Sequence, residues 1–186
     1  QFRFLDIAPG RAFHAAAIEP TARPVSRHTH DFREVFIVLE GRGLHQLEHG
    51  HQVLSAGDQV WIRPHDAHRI RPVPGTGFRF VNLAFPLSTW DAFCTCLDRP
   101  EWAAALDATP EPTLESATGE TRARRERAAM QAVHDYADGA GQWALLRALA
   151  ELAAPEPTYR IVWQQGPPWL REALTAFNQD ECLVGG

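Results

Sequence analysis

The stretch that most constrains this chain runs from His28 to Gly43, through Val35-Phe36-Ile37-Val38-Leu39. That apolar run is rich in β-branched and aromatic residues and reads as a strand able to be buried on both faces. Gly41-Arg42-Gly43 ends it. Just ahead of it, His28 and His30 are two apart and Glu34 follows four later, so an extended backbone sends all three side chains to one face. A further stretch, Gly57 to His68, holds a turn, a short strand and a Pro-containing loop that delivers His68. Three neutral imidazoles and one carboxylate form a borderline donor set suited to Mn, Fe, Co, Ni or Zn. The alternative is a polar pocket whose groups only hydrogen-bond a small molecule.

The rest of the first half punctuates short strands with Gly and Pro. Phe2–Ile7 and Phe13–Ile18 are strand candidates separated by Pro9-Gly10. Leu44–Glu48 and Gln52–Leu54 flank a hairpin turn at His49-Gly50-His51, and Gln59–Ile62 is the next strand. His68–Val73 and Gly77–Phe85 are expected to pair around Pro74-Gly75. Many short strands at this spacing indicate an all-β sandwich or barrel. By alternation from Glu34, Phe36 and Val38 should face the interior, joined by Phe80 and Asn82, with Trp61 and Arg63 as further candidates to touch a bound molecule. His45, His49, His51 and His65 read as solvated loop and hairpin residues.

The period changes at Phe85-Pro86. Ser88 with Asp91 resembles a capping box, Pro100–Leu106 gives another helical turn, and Thr109–Gly119 reads as a loop. Glu120–Tyr136 and the Trp143, Leu146, Leu149, Ala153 stripe form two amphipathic helices in an antiparallel pair. Their apolar stripe is either core or a dimer seam. The Arg122, Arg124, Arg125, Arg127 cluster reads as a solvated face interrupted by Glu120 and Glu126. Pro167-Pro168 opens a last helix, Trp169–Phe177.

Composition narrows the function classes. A formal net charge of −5 argues against this segment itself gripping a phosphate backbone. No apolar run is long enough to span a membrane, and the start at Gln1 reads as a trimmed chain with no secretory leader. Three cysteines, Cys94, Cys96 and Cys182, favour free thiols in a reducing cytoplasm.

The motif His28-x-His30, Glu34, Gly41, followed by Gly57, Pro64 and His68, resembles the two signatures of the cupin superfamily; Asp66 stands where many cupins have Gly. The order of parts, a barrel, a helix pair and a linker into Pro-Pro-Trp-Leu-Arg-Glu-Ala-Leu, is similar to AraC-type transcriptional regulators truncated before their helix-turn-helix DNA-binding domain. Gly41-Arg42-Gly43-Leu44-His45 and Asn82-Leu83-Ala84-Phe85-Pro86 look most like the chitobiose-operon regulator type. The resemblance implies a mainly β fold with appended helices: a cupin-type double-stranded β-helix, or jelly-roll barrel, over 1–86, a helical dimerisation region over 87–165, and a linker into the absent domain over 166–186. It implies a cytoplasmic homodimer with a small, sugar-like effector and no turnover of its own. DNA would be a partner only through the missing domain. A divalent metal (Zn, Ni, Mn or Fe) would sit on His28, His30, Glu34 and His68. The competing expectation is a small metal-dependent cupin enzyme, a dioxygenase or isomerase.

Overall fold

The computed structural model describes residues 1–20 and 26–153. The expected Trp169–Phe177 helix, the linker and Cys182 lie outside the described residues. Among the described residues, eight strands form two antiparallel sheets. One has the order β1 (His14–Ile18), β7 (Arg79–Phe85), β2 (Arg33–Glu40), β5 (Asp58–Ile62) and β8 (Thr113–Ser116); the other has β4 (His51–Ser55), β3 (Arg42–Gln46) and β6 (Arg69–Pro72). The helices are α1 (Phe4–Ile7), α2 (Leu87–Cys96), α3 (Pro100–Ala108), α4 (Gly119–Ala137) and α5 (Gln142–Ala153).

Register explains why β2 is apolar on both faces. Glu34 lies opposite Ala84 and Ile62, Phe36 opposite Asn82 and Val60, and Val38 opposite Phe80. These alternate residues face the barrel interior, where Phe36, Val38, Leu54, Val60, Ile62, Phe78 and Phe80 form one core. The intervening Val35, Ile37, Leu39, Val81, Leu83 and Phe85 turn outward into a second core, completed by α2, α4 and α5. Seven successive residues of β2, Arg33 to Leu39, are therefore buried.

That second core settles the role of the α5 stripe. Leu145, Leu146, Leu149 and Leu152 are fully buried within a single chain, so this face is intramolecular core and not a seam between copies. Polar ties fix the helices to the sheet: Gln59 Nε2 donates to the Leu152 carbonyl, Arg122 to the Leu39 carbonyl, and Arg125 to Glu115. Arg125 is buried, contrary to the expected solvated face, because its charge is neutralised by Glu115 on β8.

Other expectations are corrected. The Phe2–Ile7 stretch makes only a bridge at Phe2 before turning into α1, whose entry is fixed by the Phe4 N–H donating to Asp31 Oδ1. β6 and β7 do not pair with each other; they join different sheets, β6 beside β3 and β7 between β1 and β2. Ser88 does not cap α2, which begins at Leu87 after Pro86. The 109–119 loop contains β8, a strand that completes the first sheet from within the helical region.

Candidate metal centre and effector pocket

His30, Glu34 and His68 converge on the inner wall of the barrel. One donor atom from each lies within 4.8 Å of the others, and all three residues are buried. They do not come from one strand. β2 starts only at Arg33, so Glu34 alone is on it, while His28 and His68 form an isolated antiparallel bridge through mutual backbone hydrogen bonds of 3.0 and 2.9 Å. The His30 carbonyl accepts the N–H of His65, which sits at φ 69° in a left-handed turn. Phe32 stacks on the His30 ring at 4.3 Å.

The hydrogen bonds dictate which ring nitrogens are bare. His30 Nδ1 lies 2.7 Å from the Phe32 carbonyl, which can only accept, so Nδ1 carries the proton and Nε2 presents its lone pair. His30 Nε2 and His68 Nε2 are both buried without a hydrogen-bond partner, and both face Glu34 Oε2, at 3.1 and 3.6 Å. Lone pairs on two nitrogens and a carboxylate oxygen repel one another unless a cation lies between them. A proton can serve one pair; a divalent metal serves all three at once. The donor set therefore fits such an ion, with two imidazoles and a carboxylate leaving further positions open.

Electrostatics agree in sign. Burial alone would raise the Glu34 carboxyl, but its proximity to the imidazoles of His30, His68 and His28 outweighs that and holds it at about 2. Burial drives His68 down to about 3 against the opposite pull of Glu34. His14 and His45 are likewise lowered, chiefly by burial.

These depressed values set a pH dependence for the metal-free protein. Between the folded and unfolded values the unfolded chain binds protons that the folded chain does not, so stability declines as the pH is lowered. The histidine contribution is complete above 6.5 and is lost as pH drops toward about 3; the Glu34 contribution is lost lower still, through about 2. Urea midpoints of chelator-treated protein should therefore decline steadily below about pH 6.5. A flat midpoint down to about pH 4 would contradict neutral, buried imidazoles.

Glu34 and His68 line a cavity of about 440 Å³, whose wall also includes Phe2, Phe32, Ile70, Phe80, Asn82 and His14; His30 is fully buried beside them and is not part of that wall. Asn82 Oδ1 is buried there with no hydrogen-bond partner. Phe80 and Asn82 thus sit where alternation put them. His28 also lines the cavity, but it is half-buried at the rim with Nδ1 held by the Ser26 carbonyl, and it is not in the three-residue cluster. Phe36 and Val38 face the interior yet are packed into the core below and do not line the cavity.

Two other expected contact residues point elsewhere. Trp61 pairs with Val35 and shares its outward parity, so its ring packs 5.1 Å from Trp90 under the helices. The Arg63 guanidinium is occupied by Asp66 and by the carbonyls of Asp107, Thr109 and Pro110. His45, expected in solvent, is completely buried beside His68. Its place on an inward position of β3 was legible only from which face of the second sheet meets the first.

A jelly-roll of two antiparallel sheets with a His-Glu-His set on its inner wall defines a cupin. The chain belongs to the AraC-like ligand binding domain family, whose model matches residues 14–137, well over half its length. It is 29% identical over 73 residues to the uncharacterized protein MJ1618 of Methanocaldococcus jannaschii, an overlap of 39% of this chain and 58% of that protein. The chain thus spans less than two thirds of that relative. Similar solved structures include a cupin protein of Bacteroides fragilis, at 20% identity and TM-score 0.39 over 45% of this chain and 74% of that one. Another is the polyketide cyclase RemF of Streptomyces resistomycificus, at 21% identity and TM-score 0.38 over 41% and 56%.

Proposed function

We propose that this chain is the effector-sensing domain of a cytoplasmic transcription regulator, binding a small molecule against a divalent metal in the barrel. The observation that supports it most is the pairing of the family match with a cavity lined by Glu34 and His68, two of the three converging donors, with His30 buried beside them. Bound there, a Zn, Ni, Mn or Fe ion would supply a charged anchor for an effector oxygen. His30, Glu34 and His68 would hold it, with His28 available at the rim.

The cavity wall favours one kind of effector within that reading. Phe2, Phe32, Ile70 and Phe80 offer apolar surface, whereas neutral hydrogen-bonding groups are few, Asn82 foremost. A free sugar, which the chitobiose-type resemblance implies, has hydroxyls on every side. A molecule with one chelating oxygen head and an apolar flank matches the wall better. Dimerisation would use the outer face of α4 and α5, where Arg124, Arg127, Arg147 and Glu151 border a groove floored by Ala128, Ala144 and Ala148. DNA would be contacted by a further domain outside these residues.

The competing reading is a metal-dependent cupin enzyme, favoured by the open positions of a three-donor site. Both are tested by a thermal-shift screen of small hydroxy acids, phenols and sugars on metal-loaded protein, followed by prolonged aerobic incubation with any binder. Recovery of the binder unchanged by mass spectrometry supports the sensor; a new product at more than stoichiometric yield establishes the enzyme.

A further inference from the structure

His68 and His30 present the same nitrogen, Nε2, to Glu34, but only His30 has a backbone carbonyl on its other side to enforce it. For His68 the enforcing group is another side chain. Its Nδ1 lies 3.2 Å from Nε2 of the fully buried His45. His45 Nδ1 in turn lies 2.9 Å from Gln52 Oε1, and Gln52 Nε2 donates to the Pro112 carbonyl at 2.7 Å.

The direction of this chain is fixed from its far end. A carbonyl can only accept, so the Gln52 atom facing Pro112 must be the amide nitrogen, and the oxygen must face His45. That oxygen demands a proton on His45 Nδ1, which leaves His45 Nε2 as an acceptor. A bare His45 Nε2 then draws the His68 proton onto Nδ1. Without this pull, the carboxylate 3.6 Å from His68 Nε2 would favour the opposite tautomer, with an N–H directed at Glu34 and no lone pair left for an ion.

We propose that His45 and Gln52 are positioning residues that set the tautomer of His68, with the Pro112 carbonyl in the α3–β8 connection as the fixed end of the relay. The value of the relay to the protein rests on the metal-binding reading above; its geometry does not. Four groups from β3, β4, the residue just before β6 and the α3–β8 connection are thereby tied together, so the Glu34-facing nitrogen of His68 depends on a loop remote in sequence.

The test is nitrogen-15 NMR of the histidine rings in chelator-treated protein at about pH 8, above the ordinary imidazole range, with zinc affinity measured by competition against a chromogenic chelator. The wild type should show His68 protonated at Nδ1. Gln52→Leu, which removes both the amide oxygen and the amide N–H without touching a ligand, should populate the Nε2-protonated form and weaken zinc by about 10–100-fold. Gln52→Glu keeps an acceptor toward His45 and should retain the wild-type tautomer and affinity within a few-fold, while a purely structural role for Gln52 would have it fail alongside Gln52→Leu. Circular dichroism establishes that the variants fold. An Nε2-protonated His68 in the wild type, or a Gln52→Leu variant with unchanged tautomer and affinity, overturns the relay. A wild type with Nδ1-protonated His68 that binds no zinc supports the relay and instead removes the metal-binding reading.

Discussion

Glu34→Gln should abolish metal retention while leaving the chain folded. Glu34 supplies the one anionic donor of the converging set, and its Oε2 is the atom that both His30 Nε2 and His68 Nε2 face. Replacing it with an amide removes the charge, but the new N–H group donates to a bare imidazole nitrogen, so the buried site is satisfied without an ion. The wild type, saturated at about a hundredfold over its dissociation constant, gains about 2.7 kcal/mol by mass action, or roughly 5–10 °C in melting temperature for a chain of this size. Chelator should remove that increment from the wild type and have no effect on Glu34→Gln. Elemental analysis should find about one ion per wild-type chain and close to none in the variant. A variant that is as fully loaded as the wild type, and as sensitive to chelator, would show that the ion is held elsewhere.

Gly41→Ala should be the most damaging single-methyl change in the barrel. Gly41 follows β2 at φ 77°, and a Cβ built on it would lie 1.5 Å from the Gly77 carbonyl oxygen and 2.9 Å from Phe78 Cα. Both obstacles are backbone, so no side-chain rotation relieves them. The left-handed conformation alone costs an L-residue about 1–2 kcal/mol, and the overlap forces apart the β2–β3 and β6–β7 turns, for a total of about 4 kcal/mol or more. Gly10→Ala is the matched control, since Gly10 has φ 70° and nothing within 4 Å of its Cβ position. Urea denaturation of the two variants should separate them by at least about 2 kcal/mol. Equal losses would mean that the two turns move apart freely.

The part of the site legible in the sequence was the part fixed by local chemistry. His30, Glu34 and His68 were found from spacing and donor type, and the inward parity of Phe80 and Asn82 followed from strict alternation along an extended strand. The shared strand face expected for His28, His30 and Glu34 does not form: β2 begins at Arg33, and His30 reaches Glu34 from a bridged segment outside it. The same parity rule places Phe36 and Val38 inside but carries no information on how deep the core fills, and both lie in the packed core below the cavity. Trp61 and Arg63 carry no parity signal without a register, and register is a property of a pair of strands.

Taken alone, the sequence determined a barrel of short strands, a helical second half and a histidine–carboxylate donor set, because each is encoded within about ten residues by period, turn chemistry or side-chain type. Only the tertiary structure decided that β8 returns from the helical half to the first sheet, that the α5 leucines are core, and that His45 is buried against His68. Each of these depends on which faces meet between residues 20 to 90 or more positions apart, where burial is set by the partner surface and not by the residue's own neighbours in the chain.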